Sequence, residues 1–273
     1  MSDTPEDPSG LDADHYAQVQ AKLRQLKAQL PEASVASLAR EVIRQMANDG
    51  AIDGAQAPGY PQIAALCEAL ISDDDHAGAR YISGVRSAGA TIDSVYLNYL
   101  AGAARMLGAW WEEDRVSFSQ VTVGTSRMYA IMRSIRRELP IASLRRARAA
   151  VFATVPGEEH ILGVRMAADL FRKDGWDIEL LIGKGHDQLV SDICRTDMVL
   201  IGLSASGERT LEALSKLVIA LRIKKPELKI FVSGHIVDTC EDTVSLMDID
   251  GMAADYETAK HLLELHAAGL SAI

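Results

Sequence analysis

The chain has 273 residues, 48% of them apolar, and a formal net charge of -10 at pH 7. The length is enough for two ordinary domains with their own cores, and the apolar share excludes a disordered chain. The acidic balance argues against direct nucleic-acid binding through phosphate contacts, and an aromatic share of 5% argues against a base-stacking platform.

Residues 1–10, M-S-D-T-P-E-D-P-S-G, are acidic with no apolar run and read as a disordered lead-in, not a signal peptide. Residues 11–145 read as helical. Tyr16, Val19, Leu23, Leu26 and Leu30 form one apolar stripe, which either packs on its own chain or makes a short dimerising helix. Pro31 ends that helix and opens the next, P-E-A-S-V-A-S-L-A-R-E-V. N-D-G-A-I-D-G-A-Q-A-P-G-Y-P is a loop. Four further helices follow: I-A-A-L-C-E-A-L-I up to Ser72, A-G-A-R-Y-I-S-G-V-R, the long T-I-D-S-V-Y-L to W-W, and V-S-F-S to R-R-E-L. The last opens with β-branched residues, but Val121, Met128, Ile131 and Ile135 keep helical spacing. This half is a predicted helical bundle. Its basic clusters, R133-S-I-R-R and R145-R-A-R, read as solvated helix ends or as a docking patch for a protein partner.

Pro140 and L-R-R-A-R mark a boundary. Over 146–273, apolar runs such as A-A-V-F-A-T-V, M-V-L-I-G-L-S and K-I-F-V-S-G alternate with amphipathic helices. The pattern predicts a doubly wound parallel sheet, Rossmann-like or flavodoxin-like, covered by helices on both faces. No window approaches the roughly 18 apolar residues that a membrane span needs. Cys67, Cys194 and Cys240 are scattered, as expected of free thiols in a reducing cytoplasm.

Ligands of such sheets sit outside the carboxyl ends of the strands. Those ends are predicted at Gly157–Gly163, Gly202–Gly207 and Val232–His235, all small or polar. Small residues there admit something bulky close to the backbone. Neither a dinucleotide fingerprint nor a phosphate-binding P-loop is present. His261 and His266 do not share a helix face and make no metal pair. A lone histidine is usually structural. His160, however, follows Glu158 by two residues, close enough for the carboxylate to accept one ring N–H and leave the other nitrogen as a ligand. Gly163 then leaves room against the backbone.

E158-E-H160-I-L162-G163, S204-A-S206 and S233-G234 resemble the Rossmann-like cobalamin-binding domain, whose pattern is DxHxxG, SxL and GG with similar gaps. The resemblance implies His160 as the lower axial ligand of cobalt, in place of the cofactor's own base, with Glu158 orienting it. Leu162, Gly163, Ser204, Ser206 and Gly234 would line or flank the slot for the displaced nucleotide tail. Glu158 for Asp, Ser206 for Leu and Ser233 for Gly are the departures.

L107-G-A-W-W-E-E-D-R-V-S-F-S resembles the helical cap over the upper cobalamin face in methionine synthase and CarH-type photoreceptors. The Glu-His pair of those caps is missing, and Val121 and Thr122 stand at its positions. Trp110 and Trp111 then either pack in the core or shield the upper ligand pocket.

From about residue 30 onward the chain resembles the AerR/PpaA family of photosynthetic proteobacteria, related to the C-terminal domain of AppA, on P-E-A-S-V-A-S-L-A-R-E-V, D-R-V-S-F-S-Q-V-T-V-G-T-S-R-M and T-V-P-G-E-E-H-I-L-G. This resemblance implies a cobalamin-binding, light-responsive antirepressor without turnover, acting on a DNA-binding transcription repressor of photosynthesis genes. The cofactor would be adenosyl-, methyl- or hydroxocobalamin. The alternatives are a corrinoid methyl carrier between two methyltransferases and a tetrapyrrole sensor using haem or a bilin. Binding would be to protein, with no direct nucleic acid and no membrane, and the N-terminal helices could join a homodimer.

Overall fold

The computed structural model of the chain describes residues 57–139 and 148–270. The expected lead-in, the Tyr16–Leu30 stripe with its dimer, residues 145–147 of the R145-R-A-R cluster and the boundary near 145 lie outside the described residues.

Helix α1 (Tyr60–Ile71) takes Pro61 into its first turn, where a missing N–H costs nothing. That is why Tyr60 and Pro61, expected in a loop, are helical. Helix α2 (Ala77–Ser87) follows. The long helix predicted next starts as α3 (Ile92–Ser94), with Thr91 Oγ1 capping the Ser94 N–H. It widens into a π-helical turn over Val95–Leu100 and continues as α4 (Ala101–Glu112). The β-branched opening of α5 (Phe118–Arg136) does not become a strand, because Ser117 and Gln120 cap each other's backbone in a capping box. Leu66, Leu70, Leu100, Leu107 and Met128 fill the core of this helical layer.

The five strands are β1 (Ala149–Thr154), β2 (Asp177–Leu181), β3 (Leu200–Ser204), β4 (Lys229–Ser233) and β5 (Gly251–Ala253). All pair in parallel in the order β2-β1-β3-β4-β5. This is the flavodoxin-like order, and its switch point lies between β1 and β3. The predicted architecture, a helical region followed by a Rossmann-like parallel sheet, is the one found. Strands β3 and β4 end at Ser204 and Ser233, within the predicted runs M-V-L-I-G-L-S and K-I-F-V-S-G, and Gly202 is a strand residue paired with Phe152 and Phe231. Its missing side chain makes way for the Phe152 ring, 3.0 Å from where a Cβ would stand.

Helices α6 (Leu162–Lys173), α7 (His186–Arg195), α8 (Glu208–Lys224) and α11 (Tyr256–Leu270) flank the sheet. The stretch after β4, with no predicted element, forms two single turns, α9 (Ile236–Thr239) and α10 (Glu241–Val244). Val151, Leu203 and Val232 share one core with Leu189, Leu214 and Val218. Phe152, Leu200 and Phe231 share the opposite one with Phe171 and Leu263.

Helix α6 belongs to two cores. Ala168 and Phe171 face the sheet, while Met166 and Leu170 enter the helical-layer core. Between these faces Asp169 is buried. It accepts from Tyr96 Oη of the π turn at 3.2 Å and from Arg172 at 3.2 Å, and pairs with Arg136 of α5 at 3.4 Å. A buried carboxylate is tolerated only with such partners. The helical layer is therefore joined to the sheet through both faces of one helix.

At the far edge, Asp250 holds β4 to the chain entering β5. It takes Lys229 Nζ at 2.8 Å, Arg222 Nη2 at 2.6 Å and the Ile230 N–H at 2.9 Å. Burial by itself raises the Asp250 pKa. Lys229, Arg222 and the Ile230 N–H outweigh it, so the net direction is down. The sign follows: this stabilisation is complete above the unfolded-state pKa of about 3.9 and is lost as pH falls through the lower folded value. Urea midpoints of Asp250→Asn should therefore fall below wild type at pH 7, and the gap should close in strong acid.

Candidate functional site

The register pairs Thr154 with Ser204 and Ser204 with Ser233, so β1, β3 and β4 end level at the carboxyl edge. The ladder runs one residue on, from the Val155 N–H to the Ser204 carbonyl at 3.1 Å and from the Ala205 N–H to the Ser233 carbonyl at 3.0 Å. The chain then turns away at each strand and opens the edge.

After β1 the turn is made by Pro156 and by Gly157 at φ 84°, a left-handed conformation that glycine adopts freely. Glu158 is folded back beneath the loop. Its Oε1 accepts both the backbone N–H of His160 at 2.7 Å and the ring Nδ1 at 2.8 Å. The carboxylate side chain is 1% exposed, while the imidazole is 74% exposed. A buried acceptor at Nδ1 fixes the proton there and leaves Nε2 with its lone pair, on a ring that solvent reaches. Burial pushes Glu158 up, but the His160 backbone N–H, the Ser206 hydroxyl and the His160 ring outweigh it, and the net direction is down. The other carboxylate oxygen, Oε2, is buried and has no hydrogen-bond partner among the described residues.

Behind this loop lies a cavity of about 250 Å³ whose lining includes Gly163, Gly202, Ser204, Ser233 and Gly234. A Cβ on Gly163 would meet nothing within 4 Å, so the space beside it is open. Gly234 has φ 98°, and a Cβ there would stand 2.3 Å from the Ala205 carbonyl oxygen. Ser204 is buried at the end of β3. The rest of the wall is largely apolar, including Leu97 from the π turn and Tyr256, whose hydroxyl donates to Asp174 at 3.0 Å.

Sequence and fold comparisons decide what this edge resembles. Residues 148–263 match the B12 binding domain family. The segment holds the whole sheet and the Glu158–His160 loop. A curated relative, an uncharacterised 20.5 kDa protein in the bchF-crtJ intergenic region of Rhodobacter capsulatus, is 25% identical over 173 residues, 62% of this chain and 90% of its own length. The fold is similar to that of the Methanosarcina barkeri monomethylamine corrinoid protein, with a TM-score of 0.61 at 18% identity, covering 73% of this chain and 96% of that one.

The residues present fit a B12-type cofactor. Among the described residues no three His, Cys, Asp or Glu side chains are grouped to hold a metal ion. A metal at His160 would have to bring its other ligands with it, as a corrin does. The exposed nitrogen, the buried acceptor behind it and the open slot beside Gly163 suit a histidine ligand and a threaded tail.

The structure gathers Glu158, His160 and Ser206 into one loop cluster, and Gly163, Ser204 and Gly234 around the cavity. Leu162 instead packs against the helical-layer core. The two tryptophans separate. Trp110 is a core residue with Arg115 over its ring at 4.6 Å, whereas Trp111 is 50% exposed with Phe118 beside it at 6.5 Å. Val121 packs at the edge of the helical-layer core, and none of these three lines the cavity. Leu97 and Tyr256 escaped the sequence reading, since each looks like an ordinary helix residue.

Gly163→Leu should leave the protein folded with a stability near wild type, because its Cβ meets open space and the rest of the side chain can extend into the cavity. It should also reduce cobalamin retention, because the new side chain enters the slot. Thermal melts and gel-filtration retention of hydroxocobalamin measure the two separately.

Proposed function

We propose that the protein is a cobalamin-binding, light-responsive regulator without turnover, acting as an antirepressor on a DNA-binding transcription repressor. The observation that carries the cobalamin part is the exposed His160 imidazole held at Nδ1 by the buried Glu158 carboxylate, beside a small-walled slot. The regulatory part rests on the AerR/PpaA resemblance from about residue 30 onward.

Bound alkylcobalamin supplies a cobalt–carbon bond that light breaks. The chain's own residues do the rest. Glu158 holds the proton on His160 Nδ1 and presents Nε2. Gly163, Ser204 and Gly234 keep the walls of the slot small and leave it open to the tail. Trp111, the exposed member of the tryptophan pair, is the residue of the helical layer assigned to shield the upper side. Helix α6 carries Gly163, Met166 and Leu170 on one face: all three line the cavity, and Met166 and Leu170 also enter the helical-layer core, so a change at the slot reaches the helical layer through one rigid element.

The test is to load the protein with adenosylcobalamin in the dark and record absorbance before and after illumination. Retention with a light-dependent spectral change is expected. No retention by the wild type overturns the cobalamin reading, and retention with an unchanged spectrum overturns the light reading. The name of the M. barkeri protein makes a corrinoid methyl carrier the second reading of the same site. That reading predicts methyl transfer from methylcobalamin-loaded protein to an acceptor in the dark.

A further inference from the structure

A second cavity, of about 280 Å³, lies where α5 of the helical layer meets α6 and the end of β2. Its lining includes Arg133 and Arg136 from α5 and Arg165 and Asp169 from α6. Three guanidinium groups thus meet one carboxylate in a chain whose net charge is -10. That carboxylate is already engaged by Tyr96, Arg172 and Arg136. Arg133 and Arg165 make no ion pair among the described residues. Arg165 is held over the Tyr129 ring at 5.7 Å, which sets the direction of its fork. Crowded positive charge is registered next door: burial first, and Arg136 next, push the Arg172 pKa down.

We propose that this cavity binds a small phosphate-bearing anion, at a site separate from the cobalamin slot. Guanidinium forks match phosphate oxygens in pairs, and several forks around one cavity suit a dianion better than a single carboxylate. The cavity is also larger than phosphate alone. Met132, Ile161 and Leu180 offer an apolar wall for an organic portion. An anion held by Arg133 of α5 and Arg165 of α6 spans the two layers, so its binding stabilises their contact. The site uses no residue of the cobalamin slot, and its test runs on cobalamin-free protein, so its failure is distinct from failure of the cobalamin reading.

Titrate the cobalamin-free full chain with inorganic phosphate and with phenyl phosphate, holding ionic strength constant with chloride to remove general screening. Both should raise the melting temperature and bind with a measurable Kd. Tighter phenyl phosphate marks an organic phosphate as the ligand, and equal or tighter inorganic phosphate marks the free ion. Arg133→Gln, at an exposed position that tolerates the change, should raise Kd about tenfold, the worth of one charge-assisted contact. Arg133→Gln/Arg165→Gln should abolish binding while circular dichroism stays native. If the double variant does not fold, Arg133→Gln alone decides. The proposal is overturned if neither probe binds, or if Arg133→Gln leaves Kd unchanged.

Discussion

Gly234→Ala is expected to lower the unfolding free energy by about 3–5 kcal/mol, the range of a change that combines backbone strain with steric overlap. The added Cβ would stand 2.3 Å from the Ala205 carbonyl oxygen and within 3.3 Å of that residue's carbonyl carbon and nitrogen. These are backbone atoms, so no side-chain rotation relieves the clash. The φ of 98° adds a conformation that alanine rarely adopts. The same Ala205 carbonyl receives the Ile236 N–H at 3.3 Å, so moving it disturbs the entry to α9 as well. Urea midpoints should show the loss, and cobalamin retention should fall with it because the β3 and β4 ends form the slot. Gly163→Ala serves as the contrast: its Cβ meets open space, and stability should remain at the wild-type level.

Glu158→Gln should weaken cobalamin binding by about 10–100-fold, the usual effect of losing the group that orients a metal-bound histidine. Gln retains an oxygen to accept from His160, so the ring can keep its place. It loses the charge that makes Nε2 more basic. It also puts an amide NH2 where the unpartnered Oε2 is buried, at a cost of about 1–3 kcal/mol in stability. The two effects separate by measurement. Chemical denaturation of cobalamin-free protein gives the stability cost, and titration of folded variant gives the affinity. A ligand histidine that needs no orientation would lose the first quantity and keep the second.

Much of this was legible in the sequence because its physics is local. Apolar runs bounded by glycines and separated by amphipathic stretches suffice for parallel strands and their helices. Ser117 and Gln120 explain why a β-branched segment is helical. The spacing of Glu158 and His160 suffices to bring a carboxylate to Nδ1. What stayed hidden depends on tertiary neighbours. Gly234 matches a glycine of the resembled cobalamin-binding pattern, yet its necessity comes from Ala205, a residue on a different loop. Leu97 reaches the slot because a π turn rotates that part of the helix, and nothing in V-Y-L-N-Y-L signals one. Trp110 and Trp111 are alike in sequence, and only packing sends one into the core and the other to solvent. The double duty of α6 is visible in hindsight as a helix with apolar residues on two faces, but Asp169 among them gives no hint of Tyr96 and Arg136.

The proposed site makes His160 the donor of the nitrogen beneath cobalt. Electron paramagnetic resonance of the reduced cob(II)alamin form tests it, because an axial nitrogen splits the cobalt lines according to its nuclear spin. With natural-abundance protein the splitting should be threefold, from nitrogen-14. In protein labelled with nitrogen-15 only at histidine, and loaded with unlabelled cofactor, it should become twofold, and His160→Ala should lose the twofold pattern. A threefold splitting that persists in the labelled protein would mean that the cofactor keeps its own base on the metal and that His160 is not the ligand.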